Sequence, residues 1–140
     1  TGIMHSEYNR HKKIPLKLLQ IWVITEKQNV EPRYEQHALD LSKAQNNFMQ
    51  IVSPDKNQGA WIHQQAWFSI GQFDNEVKTN YCLRNNNNGV YAFMIEGEAK
   101  VAGVGLNSRD GLGIWHTSDI KIKIQSEKSL ILLMEVPMIR

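Results

Sequence analysis

The sequence predicts an all-β fold, built as a sandwich or barrel of short strands. Ile120, Ile122 and Ile124 alternate with Lys121 and Lys123, which is the period of a strand with one face buried and one face in water. Short runs rich in β-branched and aromatic residues recur along most of the chain, and turn-forming residues separate them. Only one short segment favours helix, so the dominant signal is strand.

Seven segments have the composition of strands. In chain order they cover residues 18–25, 59–69, 90–95, 98–104, 112–116, 120–125 and 130–136. The first reads Leu-Leu-Gln-Ile-Trp-Val-Ile-Thr and predicts a buried strand. The second is one strand or a pair, with Trp61, His63 and Gln65 on one face.

Turn and linker signals divide these segments. Asn88-Gly89 predicts a hairpin turn, and residues 109–111 and 126–129 predict two more. Residues 41–48 predict a single helical turn, capped by Asp40 or Ser42. Residues 9–15 have the composition of a linker, so we expect a boundary between residues 15 and 16.

Composition excludes several classes of protein. Sixteen basic and fourteen acidic side chains among 140 residues give a formal charge of +2, which argues against direct nucleic-acid or membrane binding. No apolar run approaches the roughly 20 residues of a membrane helix. No export signal is visible at the start, so we expect a cytoplasmic protein. The single cysteine, Cys82, excludes an internal disulfide and a cysteine-only zinc site.

His5 and Glu7 are the sharpest candidates for chemistry. Residues two apart on a strand share a face, so this imidazole and this carboxylate could approach one metal ion together. Two ligands make an incomplete site, because catalytic metal centres usually take three or more protein ligands.

The remaining candidates favour structural roles. The other histidines are isolated in sequence, at His11, His37, His63 and His116. Cys82 has the surroundings of a small buried side chain in a strand. The four tryptophans are expected to fill the core. They are Trp22, Trp61, Trp67 and Trp115.

Several segments together resemble one protein family. Residues 1–7 (TGIMHSE), the LLQIWV strand and the Pro-Arg-Tyr-Glu segment at 32–35 are similar to the middle of pirin-like bicupins. Residues 90–97 (VYAFMIEG) and 108–114 (SRDGLGI) resemble the second barrel of the bacterial branch. The resemblance implies a jelly-roll-like cupin β-barrel over residues 16–140. Residues 1–15 would then be the remnant of a preceding cupin and its linker.

The resemblance also implies a metal site. In this family three histidines and one glutamate hold a metal, usually iron, in the first barrel, and the His-Ser-Glu motif maps onto His5 and Glu7. The other two histidines would lie upstream of residue 1, so this chain is expected to hold a partial site and no metal of its own. Glu7 would also be the catalytic base. The second barrel shows no ligand set, since Glu96 and Glu98 have no histidine near them in sequence.

Three functions follow from the family. The leading hypothesis is the C-terminal fragment of a metal-dependent, quercetin 2,3-dioxygenase-like oxygenase that acts on a flavonol when whole. The alternative is a regulatory interaction module, which an exposed apolar patch on residues 120–136 would favour. The third is a barrel that only stabilises its neighbour, in which case the fragment should self-associate.

Overall fold

Ten strands form the protein core in the computed structural model, which describes residues 3–138. A 3-10 helix at Leu41–Ala44 precedes them. The strands are β1 (Phe48–Ser53), β2 (Ala60–Trp61), β3 (Trp67–Phe73), β4 (Lys78–Cys82), β5 (Asn88–Glu96), β6 (Ala99–Val101), β7 (Val104–Leu106), β8 (Gly111–Ile114), β9 (Asp119–Ile124) and β10 (Ser129–Pro137). The all-β prediction is therefore confirmed.

The strands belong to two sheets. The six-stranded sheet has the order β2-β1-β3-β10-β5-β8, and the four-stranded sheet has the order β4-β9-β6-β7. All strand pairings are antiparallel except that of β1 with β2. The last strand, β10, lies between β3 and β5 in the large sheet.

The main core fills the space between the two sheets. In β9, Ile120, Ile122 and Ile124 are buried while Lys121 and Lys123 are exposed, as the alternation predicts. Each buried isoleucine contributes about 1.5–3 kcal/mol, so this one strand supplies a large part of the stability. The other buried members of this core are Phe73, Tyr81, Val90, Ala92, Met94, Ala99, Val101, Leu106, Ile131 and Leu133.

A second apolar cluster lies on the outer face of the six-stranded sheet. Its buried members are Ala66, Phe68, Ile70 and Leu132. Val23 and Leu41, which precede the strands in the chain, pack against it. Several strand residues of this face are only half-buried, including Phe93 and Met134. The face is thus apolar but incompletely covered.

Residues 3–40, called the arm, contain no helix or strand. The prediction of a buried strand at 18–25 is wrong: Trp22 is 87% exposed and Ile24 is 84% exposed, although Val23 packs on the sheet. A β-prone segment forms a strand only where a neighbouring strand accepts its backbone hydrogen bonds, and none pairs with this segment. The boundary between residues 15 and 16 stays a prediction.

Three side-chain predictions are also wrong. Trp115 follows β8 and is 55% exposed, so neither it nor Trp22 fills the core; Trp61 and Trp67 are half-buried. Cys82 is exposed because the side chain of Tyr81, its neighbour in β4, takes the inward position.

The turns agree with prediction in most places. Arg109 and Lys128 adopt positive φ angles in the turns predicted around them. Asp40 caps the 3-10 helix by accepting a hydrogen bond from the Ser42 backbone N–H at 3.1 Å. Asn88-Gly89 is not a hairpin turn, because both residues are buried at the start of β5.

Residues 3–138 contain no helix that is long and apolar enough to cross a membrane.

Candidate functional site

The arm brings His5 and Glu7 together near its start. The His5 Nε2 and Glu7 Oε1 atoms lie 3.8 Å apart, and the two side chains are 58% and 52% exposed. Neither residue belongs to a strand, so no sheet holds the two side chains on the same side. The structure thus places the two predicted site residues in contact, and at the surface.

The donor types of this pair fit a divalent metal. Imidazole nitrogen and carboxylate oxygen both bind such ions at about 2.0–2.2 Å, so two ligands of one ion are at most about 4.3 Å apart. The observed 3.8 Å is within that reach. In residues 3–138, no cluster of three or more His, Cys, Asp or Glu side chains could hold a metal ion. Within these residues the pair offers two donors to an ion.

A second cluster fastens the arm to the barrel. The Arg33 guanidinium donates to a Glu35 oxygen and to the Trp61 carbonyl, and Glu35 accepts from the Trp61 backbone N–H at 3.3 Å. His37 Nε2 lies 2.5 Å from the other Glu35 oxygen. The His37 hydrogen bond, followed by that of Arg33, lowers the pKa of Glu35 to about 2. We call Arg33, Glu35, His37 and Trp61 the arm clasp.

Aromatic contacts extend the arm clasp. Arg33 lies 4.8 Å from the centre of the Trp61 ring, and Lys56 Nζ lies 4.6 Å from it. The His63 ring is tilted against the same indole, with the centroids 4.4 Å apart. Sequence analysis missed this cluster, although the period-two placement of Arg33, Glu35 and His37 was a usable signal. His63 lies in a bend between β2 and β3, so the strand face predicted for Trp61, His63 and Gln65 does not form.

A buried carboxylate organises one end of the barrel. Glu135 is fully buried in β10 and accepts four hydrogen bonds. The donors are the Tyr81 hydroxyl at 2.9 Å, the Arg84 and Asn85 backbone N–H groups at 2.8 and 3.2 Å, and the Asn88 amide at 2.7 Å. Burial of the hydroxyl is the larger cause, and the charge of Glu135 the next, of a Tyr81 pKa well above its ordinary value of 10. This network holds the β4–β5 loop and explains why Asn88 is drawn into the strand.

Comparison with known proteins identifies the family. Residues 50–136 match the sequence family described as the quercetinase C-terminal cupin domain. The chain belongs to this family. The pirin-like resemblance and the cupin fold are thus confirmed.

Named relatives extend beyond the matched domain. Quercetin 2,3-dioxygenase of Escherichia coli K12 is 31% identical over 139 residues, which cover 98% of this chain and 58% of the relative. A putative quercetin 2,3-dioxygenase of Pseudomonas aeruginosa is 28% identical over 138 residues, covering 97% of this chain and 58% of that protein. This chain therefore spans 58% of the length of these curated relatives.

Solved structures show the same fold. YhhW from Escherichia coli superposes with a TM-score of 0.76 at 25% identity, over 85% of this chain and 49% of that one. A second structure is described as the bacterial pirin YhhW in complex with nickel(II); its TM-score is 0.75 at 24% identity, over 84% of this chain and 49% of that one.

Proposed function

We propose that this chain is the C-terminal part of a two-barrel, quercetin 2,3-dioxygenase-like oxygenase. The observation that carries the proposal is the contact between His5 and Glu7 at 3.8 Å, on an arm that precedes the cupin barrel in the chain. The relatives named as quercetin 2,3-dioxygenases support the reaction class. The nickel complex of YhhW supports a divalent metal.

His5 and Glu7 would hold iron or another divalent metal together with two histidines upstream of residue 1. The metal, when bound, supplies Lewis-acid activation of a substrate oxygen. A carboxylate has two oxygens, so Glu7 can bind through one and accept the proton of a flavonol hydroxyl at the other. The arm clasp contributes by fixing the arm to the barrel near Trp61.

This chain alone is catalytically incomplete under the proposal. Two protein ligands fall short of the three or more that catalytic metal centres use, and both are half-exposed to water. A water-filled, two-ligand site neither retains a metal ion well nor strengthens electrostatic interactions with a substrate.

The test compares this chain with a protein extended upstream through a first barrel. We expect the extended protein to hold one metal ion per chain by elemental analysis and to consume quercetin. His5→Ala should reduce metal affinity on the order of 100-fold or more, since losing an outer-shell partner alone costs 10–100-fold. Glu7→Gln should lower turnover by about 10²–10⁴-fold, the contribution of a general base.

Matched controls lie in the same arm. His11→Ala and Glu31→Gln remove the same chemical groups from exposed positions. If these controls lose metal and turnover as much as His5→Ala and Glu7→Gln do, the assignment is wrong. Stoichiometric, tight metal binding by this chain alone would also contradict it.

Protein association is the second candidate function, favoured by the exposed apolar surface of the arm. The large hydrophobic residues of 120–136 are buried or half-buried, so this segment does not carry the large exposed patch that would favour an interaction module. The exposed large hydrophobic residues concentrate instead in the arm. They include Leu16, Leu18, Leu19, Ile21, Trp22 and Ile24.

We propose that this apolar arm pairs with a second copy when no upstream barrel is present. Light scattering across a wide concentration range should show dimers or larger species. Replacing Trp22 and Ile24 by Ser should shift the chain to monomer, whereas Trp115→Ser, which alters an exposed tryptophan outside the arm, should not. A parent chain that stays monomeric throughout would refute the association.

A further inference from the structure

The outer face of the four-stranded sheet carries four lysines side by side. Lys78 in β4 is directly opposite Lys123 in β9, and Lys123 is directly opposite Lys100 in β6. Lys121 precedes Lys123 by two residues and points to the same side. All four are exposed. We call these residues the lysine face.

Neighbouring strands are about 4.8 Å apart, so the three lysines in the row lie within about 10 Å. The fourth is about 7 Å along the strand from Lys123. Four positive charges therefore occupy a patch about 1 nm across. The arrangement is independent of the arm and of the metal-site proposal.

No carboxylate forms an ion pair with these lysines in the part of the chain that the structure describes, and Asp119, two residues before Lys121 in β9, is the acidic residue of the same strand face. The ion pairs of residues 3–138 are His5–Glu7, Arg33–Glu35 and His37–Glu35, all in the arm. Asn80 and Gly105, the remaining cross-strand neighbours of the lysines, are uncharged. Like charges directly opposite each other destabilise a sheet, so the lysine face lowers folded stability until an anion covers it.

The surface above the lysines is open to a ligand. A shallow depression of about 440 Å³ is lined by the lysine face together with Asn80 and Gly103. A methyl group added at Gly103 or Gly105 would meet nothing within 4 Å, so the space beside these two glycines is open.

We propose that the lysine face binds a chain of three or more phosphoryl groups. Lysine ammoniums bind phosphate as compact point charges, and a chain of phosphoryl groups places several negative charges within the span of the four lysines. The patch contains no aromatic side chain on which a base could stack. Four contacts are also fewer than the 6–10 typical of a protein bound to a nucleic-acid duplex.

A phosphoryl chain of this kind occurs as inorganic polyphosphate or as the tail of a nucleoside triphosphate. Titration calorimetry of this chain at low salt should show binding of inorganic tripolyphosphate at one site, with much weaker binding of orthophosphate. Higher salt should weaken it, because the lysines are exposed. If ATP binds as tightly as tripolyphosphate, the triphosphate tail of a nucleotide is a sufficient ligand. If ATP binds more weakly, inorganic polyphosphate is the favoured ligand.

Substitution of all four lysines by Gln should weaken tripolyphosphate binding by about 100-fold or more, since each lost ammonium contact weakens binding several-fold. A matched control replaces four exposed arm lysines and removes the same total charge. These are Lys12, Lys13, Lys17 and Lys27. The control should bind tripolyphosphate as the parent does.

Lys123→Gln alone removes the central charge of the lysine face. This single variant still tests the proposal if the fourfold variant misfolds. It should weaken binding several-fold while leaving thermal stability equal or higher, because it relieves repulsion from Lys78 and Lys100. Absence of tripolyphosphate binding by the parent would overturn the proposal. So would an equal loss in the arm control, or a DNA duplex or polyglutamate that binds the lysine face more tightly than tripolyphosphate.

Discussion

Replacement of Glu135 by Ala should cost the barrel about 4 kcal/mol of unfolding free energy. The substitution removes the acceptor of four hydrogen bonds, two from the buried side chains of Tyr81 and Asn88 and two from the backbone N–H groups of Arg84 and Asn85. Each buried donor left without a partner costs about 1–3 kcal/mol. The lower value, about 1 kcal/mol for each donor, applies here because water can reach the β4–β5 loop and hydrogen-bond to the freed donors. The free energy of unfolding of a folded domain is only about 5–15 kcal/mol, so the loss would be a large fraction of it.

Urea unfolding followed by circular dichroism measures this loss directly. Tyr81→Phe removes one donor to the same carboxylate and should cost about 1.5–3 kcal/mol, the range for hydrogen bonds to charged groups. Glu127→Ala, in the exposed turn before β10, is the matched control and should change stability by less than about 0.5 kcal/mol. A Glu135→Ala variant as stable as the Glu127→Ala control would refute the reasoning.

Four further predictions concern Tyr81, the arm clasp and a turn. The fold should lose stability as pH rises above 10, because the raised pKa of Tyr81 keeps its hydroxyl neutral in the folded state while the same hydroxyl ionises in the unfolded chain. An equal loss of stability in Tyr81→Phe would contradict this. Trp61→Ala should open the arm clasp and speed limited proteolysis of residues 8–25, with Trp115→Ala unchanged. The stabilisation of the arm clasp by ionised Glu35 should be complete above pH 4.5 and disappear as pH falls through about 2. The NMR signal of the Trp61 indole should shift over this pH range, and Glu35→Gln should abolish the shift. Gly59→Ala should cost more than Gly103→Ala in urea unfolding: both glycines have positive φ, but only at residue 59 would the methyl group come within 2.5 Å of the Ile51 backbone. Equal costs would show that backbone conformation alone matters.

The local sequence predicted β9, where apolar and charged residues alternate, but it missed β4, whose burial also alternates, because most residues of β4 are polar. The isoleucines of β9 alternate with lysines, and burial follows that alternation because one face of the sheet packs against the core and the other faces water. At 18–25 the same propensities failed, since a strand also needs a neighbouring edge that no local pattern supplies. At Asn88 a turn signal was overridden by a hydrogen bond to a carboxylate 47 residues away.

The candidate site was predictable only in part. The spacing of His5 and Glu7 indicated a shared side, and the structure brings them to 3.8 Å. The arm clasp joins residues 26 or more positions apart, from Arg33 and Glu35 to Trp61, so its partners could not be read from either segment alone. The lysine face was visible in β9, but its extension to Lys78 and Lys100 depends on strand order.

The central place of β10 in the large sheet also fixes when the barrel can fold during synthesis. Its neighbours β3 and β5 leave the ribosome first, and each then presents a bare edge to the gap that β10 later fills. The carboxylate that anchors the β4–β5 loop arrives with the same late strand. Native pairing therefore waits until about residue 137 has emerged, and the nascent chain needs protection from aggregation until that point.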